Sequence, residues 1–173
     1  MWRRTITFLL SLLSMVMAEA TNHYFKHLGV SDGLSQVCIP SIYQDELGAV
    51  WLGTTEGLNR YNGKDVKVFQ PSESNHGLTN NEINELCGDK NGRMYIRSGN
   101  DLIKLDIYTE QFTCLRQKGV YGLFCKKDTL WVSCADGIYY YTGQGTELTF
   151  FARVQKGFVG RALYVDKETV WVV

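Results

Sequence analysis

Residues Val50–Tyr61 read VWLGTTEGLNRY: an apolar run led by Val-Trp, a tight Glu-Gly turn and a second apolar run. The pattern returns at Met94–Leu105 (MYIRSGNDLIKL) and Leu130–Tyr141 (LWVSCADGIYYY), and begins again at Val170–Val173 (VWVV), where the sequence stops. The lead aromatics Trp51, Tyr95, Trp131 and Trp171 lie 44, 36 and 40 residues apart. A true repeat carries its turns and apolar positions with its aromatics, and this one does. Phe25 and Phe69, Gly33 and Gly77, Leu34 and Leu78, Ile39 and Ile83, Asp45 and Asp89, Gly48 and Gly92, and Leu58 and Leu102 share the spacing of 44. Leu123 and Leu163, Phe124 and Tyr164, Thr129 and Thr169, and Leu130 and Val170 share the spacing of 40.

Periods of this length mark propeller blades or paired helices. Each unit is rich in Val, Ile, Tyr, Trp and Thr and is interrupted every few residues by Gly, Asn or Asp, which is strand chemistry. The first unit divides into strands at Ser41–Gln44, Val50–Thr54, Leu58–Tyr61 and Val66–Gln70, with turns at Asp45–Gly48, Glu56–Gly57 and Asn62–Lys64. Four short antiparallel strands per unit make a propeller blade. The expected fold is therefore all-β, with blade 1 at about 39–70, blade 2 at about 83–116, blade 3 at about 120–152 and part of a blade 4 at about 160–173. Phe25–Leu28 matches the outer strand of unit one, so residues 24–28 are expected to be a blade-closing strand. About three and a half blades cannot close a ring, since propellers typically need about four to eight. The expectation is that this chain is the start of a larger protein, and that alone it expresses poorly or self-associates through open strand edges. A sharp monomer peak with a cooperative melt would contradict that expectation.

Ahead of the repeats stand Arg3 and Arg4, an apolar run from Ile6 to Met17, and Ala18-Glu19-Ala20. Positive flank, short apolar core and A-x-A site make residues 1–20 a secretory signal peptide, cleaved after Ala20, with 21–173 as the exported part. The run is shorter than the ~17–25 apolar residues of a membrane span. Composition suits an exported β domain, with 45% apolar residues, 13% aromatic and only 2 Pro. Eighteen acidic residues balance 18 basic ones, which argues against nucleic acid or an anionic membrane surface as partner.

The five cysteines, Cys38, Cys87, Cys114, Cys125 and Cys134, suggest disulfides at first sight. Their columns point instead to core or free thiols. Cys87 shares an apolar strand position with Tyr43, Phe124 and Tyr164, and Cys134 shares a small-residue position with Thr54 and Ser98. The count is odd, no C-x-x-C occurs, and His23, His27 and His76 have no metal-ligand spacing, so no metal is expected. Asp45 and Asp89 open D-x-x-G turns, in which the carboxylate accepts a backbone N–H and Gly takes a positive φ. Trp51, Trp131 and Trp171 recur at one strand position and are expected to pack between blades. Tyr140 aligns with Arg60 and Lys104, which makes it the solvent-facing ring of Tyr139-Tyr140-Tyr141. No Ser/His/Asp set, phosphate-binding glycine loop or Cys/His pair can be assembled, so no catalytic residue and no cofactor is assigned. The ligand-binding residues stay unassigned.

Three segments, HYFKHLGVSDGLSQ, IYQDELGAVWLGTTEGLNRYNG and GLTNNEINELCGDKNGRMYI, together resemble the opening of a two-component regulator propeller. The resemblance spans roughly residues 24 to 173. It is densest in unit one, at Asp32-Gly33-Leu34-Ser35, Asp45, Gly48, Trp51-Leu52-Gly53-Thr54, Gly57-Leu58 and Tyr61-Asn62-Gly63. Unit two departs from the pattern, with Tyr95 for the usual Trp and Arg97 for Gly, and the Asp-to-Gly turn is eroded in unit three. No Trp is followed by Asp, as tryptophan-aspartate repeats would require, and Gly48 lies three residues after Asp45, not two as in sialidase-type Asp boxes.

The resemblance implies the periplasmic sensor region of a Bacteroidetes-type hybrid two-component system. Relatives carry tandem propellers, an immunoglobulin-like domain, a membrane helix, a histidine kinase, a receiver and a DNA-binding region. The expected function is detection of glycan-derived oligosaccharides and signalling to a kinase outside these residues, with this chain not itself an enzyme. The expected partners are an oligosaccharide ligand, the remaining blades and signalling domains, and a second copy in a full-length homodimer, with no nucleic acid contact by this region. The alternatives are a secreted propeller lyase or glycosidase acting on polysaccharide, with carboxylates gathered at the inner strand ends, or a nonfunctional remnant.

Overall fold

Short runs of β-branched and aromatic residues, each stopped by a Gly-, Asn- or Asp-containing turn, fold every repeat into an antiparallel meander. The computed structural model describes residues 2, 25–71, 77–153, 160, 163–166 and 169–173. The first sheet is β1 (Ser41–Gln44), β2 (Val50–Thr54), β3 (Gly57–Tyr61) and β4 (Val66–Phe69), hydrogen-bonded in chain order. The second is β5 (Ile83–Gly88), β6 (Arg93–Ser98), β7 (Asp101–Asp106) and β8 (Gln111–Arg116). The third is β9 (Val120–Lys126), β10 (Thr129–Cys134), β11 (Gly137–Tyr141) and β12 (Thr149–Ala152), and a two-stranded sheet of β13 (Leu163–Asp166) and β14 (Thr169–Val172) follows. The first strands β1, β5, β9 and β13 lie side by side in that order, so the sheets are blades packed face to face around a common inner edge. Apart from Trp2, the export segment read at residues 1–20 lies outside the described residues, as do Thr21–Tyr24.

Two apolar cores fill the seams between blades. Trp51, Leu58 and Phe69 of blade 1 meet Ile83, Leu86, Met94, Ile96 and Ile103 of blade 2, joined by Leu78 from the connecting loop. Tyr95 and Leu102 of blade 2 meet Val120, Leu123, Leu130, Val132 and Tyr141 of blade 3. The aromatic column is therefore core in two of its four members, Trp51 and Tyr95, both fully buried. Trp131 and Trp171 are exceptions to the expectation. Trp131 is half-buried against Tyr140 and Phe151, and Trp171 is 59% exposed, because among the described residues no complete sheet covers their faces. Tyr140 is likewise not a free solvent-facing ring, since it lies opposite Trp131 in the register and packs against it at a tilt, with centroids 5.7 Å apart.

Of the closing strand expected at 24–28, Tyr24 lies outside the described residues. Residues 25–28 join no ladder and Phe25 is 91% exposed, since an outer strand needs a neighbour's free edge and no described sheet offers one there. The loop after them is ordered by its own chemistry. Asp32 accepts the Gly29 N–H at 2.9 Å, Gly33 takes φ +104, and Leu34 is buried. Ser35 then docks on blade 1 through its N–H to Asn59 Oδ1 and its hydroxyl against Thr54 Oγ1, each at 2.9 Å.

The inner strands use side chains to satisfy their free edge N–H groups across each seam. Leu86 N–H donates to Ser41 Oγ at 2.9 Å, and one blade later Leu123 N–H donates to Glu85 Oε2 at 3.1 Å. Ser41 and Glu85 occupy the same column, opposite Gly53 and Arg97 respectively. At the rim, Glu110 of blade 2 accepts from both Arg60 and Lys67 of blade 1. One polar tie near the axis and one near the rim thus bracket the apolar seam between blades 1 and 2.

Candidate functional site

A cleft of about 530 Å³ opens between blades 2 and 3, lined by Asn80, Glu82, Asn84, Arg97, Gly99, Asn100 and Tyr121. Three local devices build it. The first is a pair of β-bulges at matching places. In blade 2 the register passes from Ile83 to Glu85 against Ser98 and Arg97, leaving Asn84 as the extra residue. In blade 3 it passes from Val120 to Gly122 against Cys134 and Ser133, leaving Tyr121. A bulge takes a side chain out of the ladder's alternation and re-aims it, and here both extra residues line the same cleft.

The second device is the residue facing the seam from the second strand of each blade. Blade 1 has Gly53 there, and a Cβ at that position would lie 2.8 Å from Ile83 Cγ2 and 3.1 Å from Ile83 O, so the two blades meet in direct contact. Blade 3 has Ser133, whose hydroxyl donates to Gly160 O at 2.6 Å. Blade 2 has Arg97, a side chain too long for a closed seam. Its Nη1 donates to Gly99 O at 3.2 Å and its Nε to Glu85 Oε2 at 3.4 Å.

The third device is the loop entering β5, which fixes the opposite wall. Ser98 Oγ donates to Asn80 O at 2.8 Å and accepts Asn80 N–H at 3.0 Å. Asn80 Oδ1 accepts the Glu82 N–H at 2.9 Å, and Glu82 O accepts the Gly99 N–H at 2.7 Å. Asn84 donates to Glu82 Oε1 at 2.7 Å, but its Oδ1 is buried with no partner. A buried acceptor left unpaired costs about 1–3 kcal/mol. Burial raises the Glu85 carboxyl above its usual pKa, with Arg97 and the Leu123 amide opposing the rise. The cleft therefore offers amide donors and acceptors, a guanidinium, a carboxylate and one phenol ring, the set that suits a hydroxylated polar ligand.

The residues singled out in the sequence fall elsewhere. Asp45 is a buried turn staple, accepting N–H groups from Leu47 and Ala49 at 3.0 and 2.8 Å and the Trp51 indole N–H at 2.8 Å. Asp89 accepts the Asn91 N–H at 2.9 Å and pairs with Arg93. Cys134 is buried, as its column suggests. Among the described residues no group of His, Cys, Asp and Glu could hold a metal ion, and no helix is long and apolar enough to cross a membrane. None of the cleft residues was assigned a role from sequence. The signal that marked the place was Arg97 standing where blade 1 has Gly53.

Residues 33–56 match the two component regulator propeller family. The match falls on the first two strands of blade 1 and the loop that leads into them. It is 26% identical to the extracellular domain of a hybrid two-component system from B. thetaiotaomicron, with a TM-score of 0.62 over 73% of this chain and 20% of that one. A second extracellular domain of a hybrid two-component system from that organism superposes with a TM-score of 0.64 at 18% identity, over 87% of this chain and 24% of that one, a likeness of fold. Over 53 residues, 31% of this chain, the sequence is 40% identical to histidine kinase P4 of Formosa agariphila, and that stretch is 4% of the kinase. The chain thus spans a small part of each of these relatives.

Proposed function

We propose that this propeller segment is the ligand-sensing part of an exported two-component sensor, and that the cleft between blades 2 and 3 binds a glycan-derived oligosaccharide without turning it over. The observation that carries the reading is the convergence of Asn84, Arg97 and Tyr121 on one cleft, with the Asn84 Oδ1 acceptor unpaired. Amide groups and a guanidinium match sugar hydroxyls and carboxylates, and Tyr121 offers a ring for a pyranose face. The extracellular placement of the similar propellers supports a periplasmic site of action, and the export segment read at residues 1–20 agrees with it. Glu82, among the described residues the one carboxylate lining the cleft, accepts from Asn84 and has no second carboxylate beside it in the lining to complete an acid–base pair, which favours binding over catalysis.

Signalling would follow from differential binding, since a ligand shifts a receptor only toward the state it binds more tightly. A ligand in this cleft touches both blade 2 and blade 3 and so favours the state in which the seam is closed on it. In the full-length sensor, acting as a homodimer, that preference would pass to the kinase.

The test is a panel of defined neutral and acidic oligosaccharides, read by thermal shift and then by calorimetry, on the whole exported region. Arg97→Ser places in blade 2 the residue that blade 3 already uses. Loss of a charge-assisted bond of about 1.5–3 kcal/mol weakens binding by roughly 10- to 100-fold. Equal affinity in the variant, or no binder in the panel, would overturn the assignment of this cleft.

A further inference from the structure

The seam between blades 2 and 3 holds two thiols in contact. Cys87 on β5 and Cys125 on β9 come within 2.7 Å, sulfur to sulfur. The pairing follows from the repeat. Position 43 of blade 1 points at position 88 of blade 2, where a Cβ on Gly88 would lie 2.2 Å from the Tyr43 hydroxyl oxygen. The next pair in the series is Cys87 and Cys125. Cys87 sits opposite Tyr95 as Tyr43 sits opposite Trp51, and Cys125 sits opposite Leu130 as Gly88 sits opposite Met94. At the first seam a ring fills the space and the facing residue has no side chain. At the second, both positions carry a thiol, each of a size that leaves room for the other.

We infer that Cys87 and Cys125 form a disulfide joining the innermost strands of blades 2 and 3 when the chain folds in an oxidising environment. A disulfide has its sulfurs about 2.05 Å apart, so the two atoms need to close by well under 1 Å. Strand alternation puts residues two apart on the same side, and the bond therefore lies beside the Glu85–Leu123 hydrogen bond, one step along the edge. Together they would fix the seam whose upper end is the ligand cleft. That consequence for ligand binding rests on the reading of the cleft given above. The bond itself rests only on the two thiols.

The chemistry is thiol–disulfide exchange with a small-molecule or protein disulfide as oxidant. The Cys125 thiolate attacks one sulfur of the donor, forming a mixed disulfide and releasing the first donor thiol. Cys87 then loses its proton and attacks Cys125 Sγ, breaking the mixed disulfide and releasing the second donor thiol. Two protein thiols are oxidised by two electrons, the donor disulfide is reduced to two thiols, and both protons leave on the donor. Burial holds the Cys87 thiol well above its usual pKa. Among the described residues Cys38, Cys114 and Cys134 have no sulfur partner and serve as internal controls.

Two samples of the full chain test the inference. One is exported to a bacterial periplasm through its own leader, and the other is purified with reduced thiols and incubated with oxidised glutathione. Both are quenched with N-ethylmaleimide in denaturant and mapped by mass spectrometry without reduction. The expected result is a cross-linked peptide pair containing Cys87 and Cys125, lost on reduction and absent from Cys125→Ala, with the other three cysteines alkylated. The thermal midpoint of the linked form is expected to fall by roughly 5–10 °C on reduction. Alkylation of both Cys87 and Cys125 after glutathione treatment of the folded chain, or arrest as a glutathione mixed disulfide, overturns the inference. Free Cys87 and Cys125 thiols in protein recovered from the periplasm also overturn it, even where glutathione links them in vitro, because the periplasm is the oxidising environment the inference requires.

Discussion

Replacing Asp45 with alanine is expected to destabilise the chain by about 3–5 kcal/mol, measured as the loss of urea-unfolding free energy. The side chain is 4% exposed and accepts three hydrogen bonds, from the amides of Leu47 and Ala49 and from the indole of Trp51. Alanine would leave the buried Ala49 and Trp51 donors without a partner, each at a cost of about 1–3 kcal/mol before any relaxation. Two of them close the turn in which Gly48 takes φ +86, so the hairpin between β1 and β2 loses its anchor. The third holds a fully buried indole in its orientation against Phe69, 5.7 Å away. Asp45→Asn separates the parts. Its oxygen can keep the two turn amides, while its amide nitrogen opposes the indole N–H, and about half the loss is expected. A loss below about 1 kcal/mol for the alanine variant would mean that water enters the turn and that the staple matters little.

The same residue shows what could be read from the sequence and what could not. Column-by-column spacing placed the strands of blade 1, because turns and apolar positions recur with the aromatics and each turn has a recognisable chemistry. The turn role of Asp45 was legible for that reason, but its second oxygen, on Trp51 Nε1, was not, since nothing in a D-x-x-G turn says where the next strand's indole points. The cleft was less legible still. It depends on two bulges, at Asn84 and Tyr121, and a bulge is one extra residue that leaves no mark in a short strand of mixed composition. Arg97 in place of Gly was visible as a break in the column, yet only the packing of Gly53 on Ile83 shows that this column faces the next blade. The contact of Cys87 with Cys125 was hidden by the same offset: the two thiols belong to adjacent columns, and column matching compares each residue with its own column. Repeat arithmetic gives the fold, while the chemistry at each seam depends on which column of one blade meets which column of the next.

Blade 2 yields the second large effect, because there the staple has been rebuilt. Tyr95 stands where blade 1 has Trp51, so no indole N–H is available to the second oxygen of Asp89. Arg93 supplies the missing donor, through Nε, to a carboxylate whose side chain is fully buried. Burial alone would favour neutral Arg93, but the Asp89 charge outweighs it and raises the guanidinium pKa above its usual value. Arg93→Ala is expected to destabilise by about 3–5 kcal/mol, the range for removing one partner of a buried ion pair and leaving a charge uncompensated. The companion change is Tyr95→Trp. In the native background it adds volume to a filled seam and displaces a ring that meets Tyr141 edge-on, at 5.9 Å between centroids, so it is expected to cost about 1–3 kcal/mol. In the Arg93→Ala background it restores the indole donor of blade 1, and the double variant is expected to be more stable than Arg93→Ala alone. The interaction free energy from the full cycle decides the matter. A favourable coupling of at least about 1 kcal/mol means that Arg93 and a tryptophan are alternative partners for one conserved geometry of the Asp staple. Simple additivity would mean that Asp89 is satisfied in some other way and that the repeat tolerates the loss of its indole without a substitute.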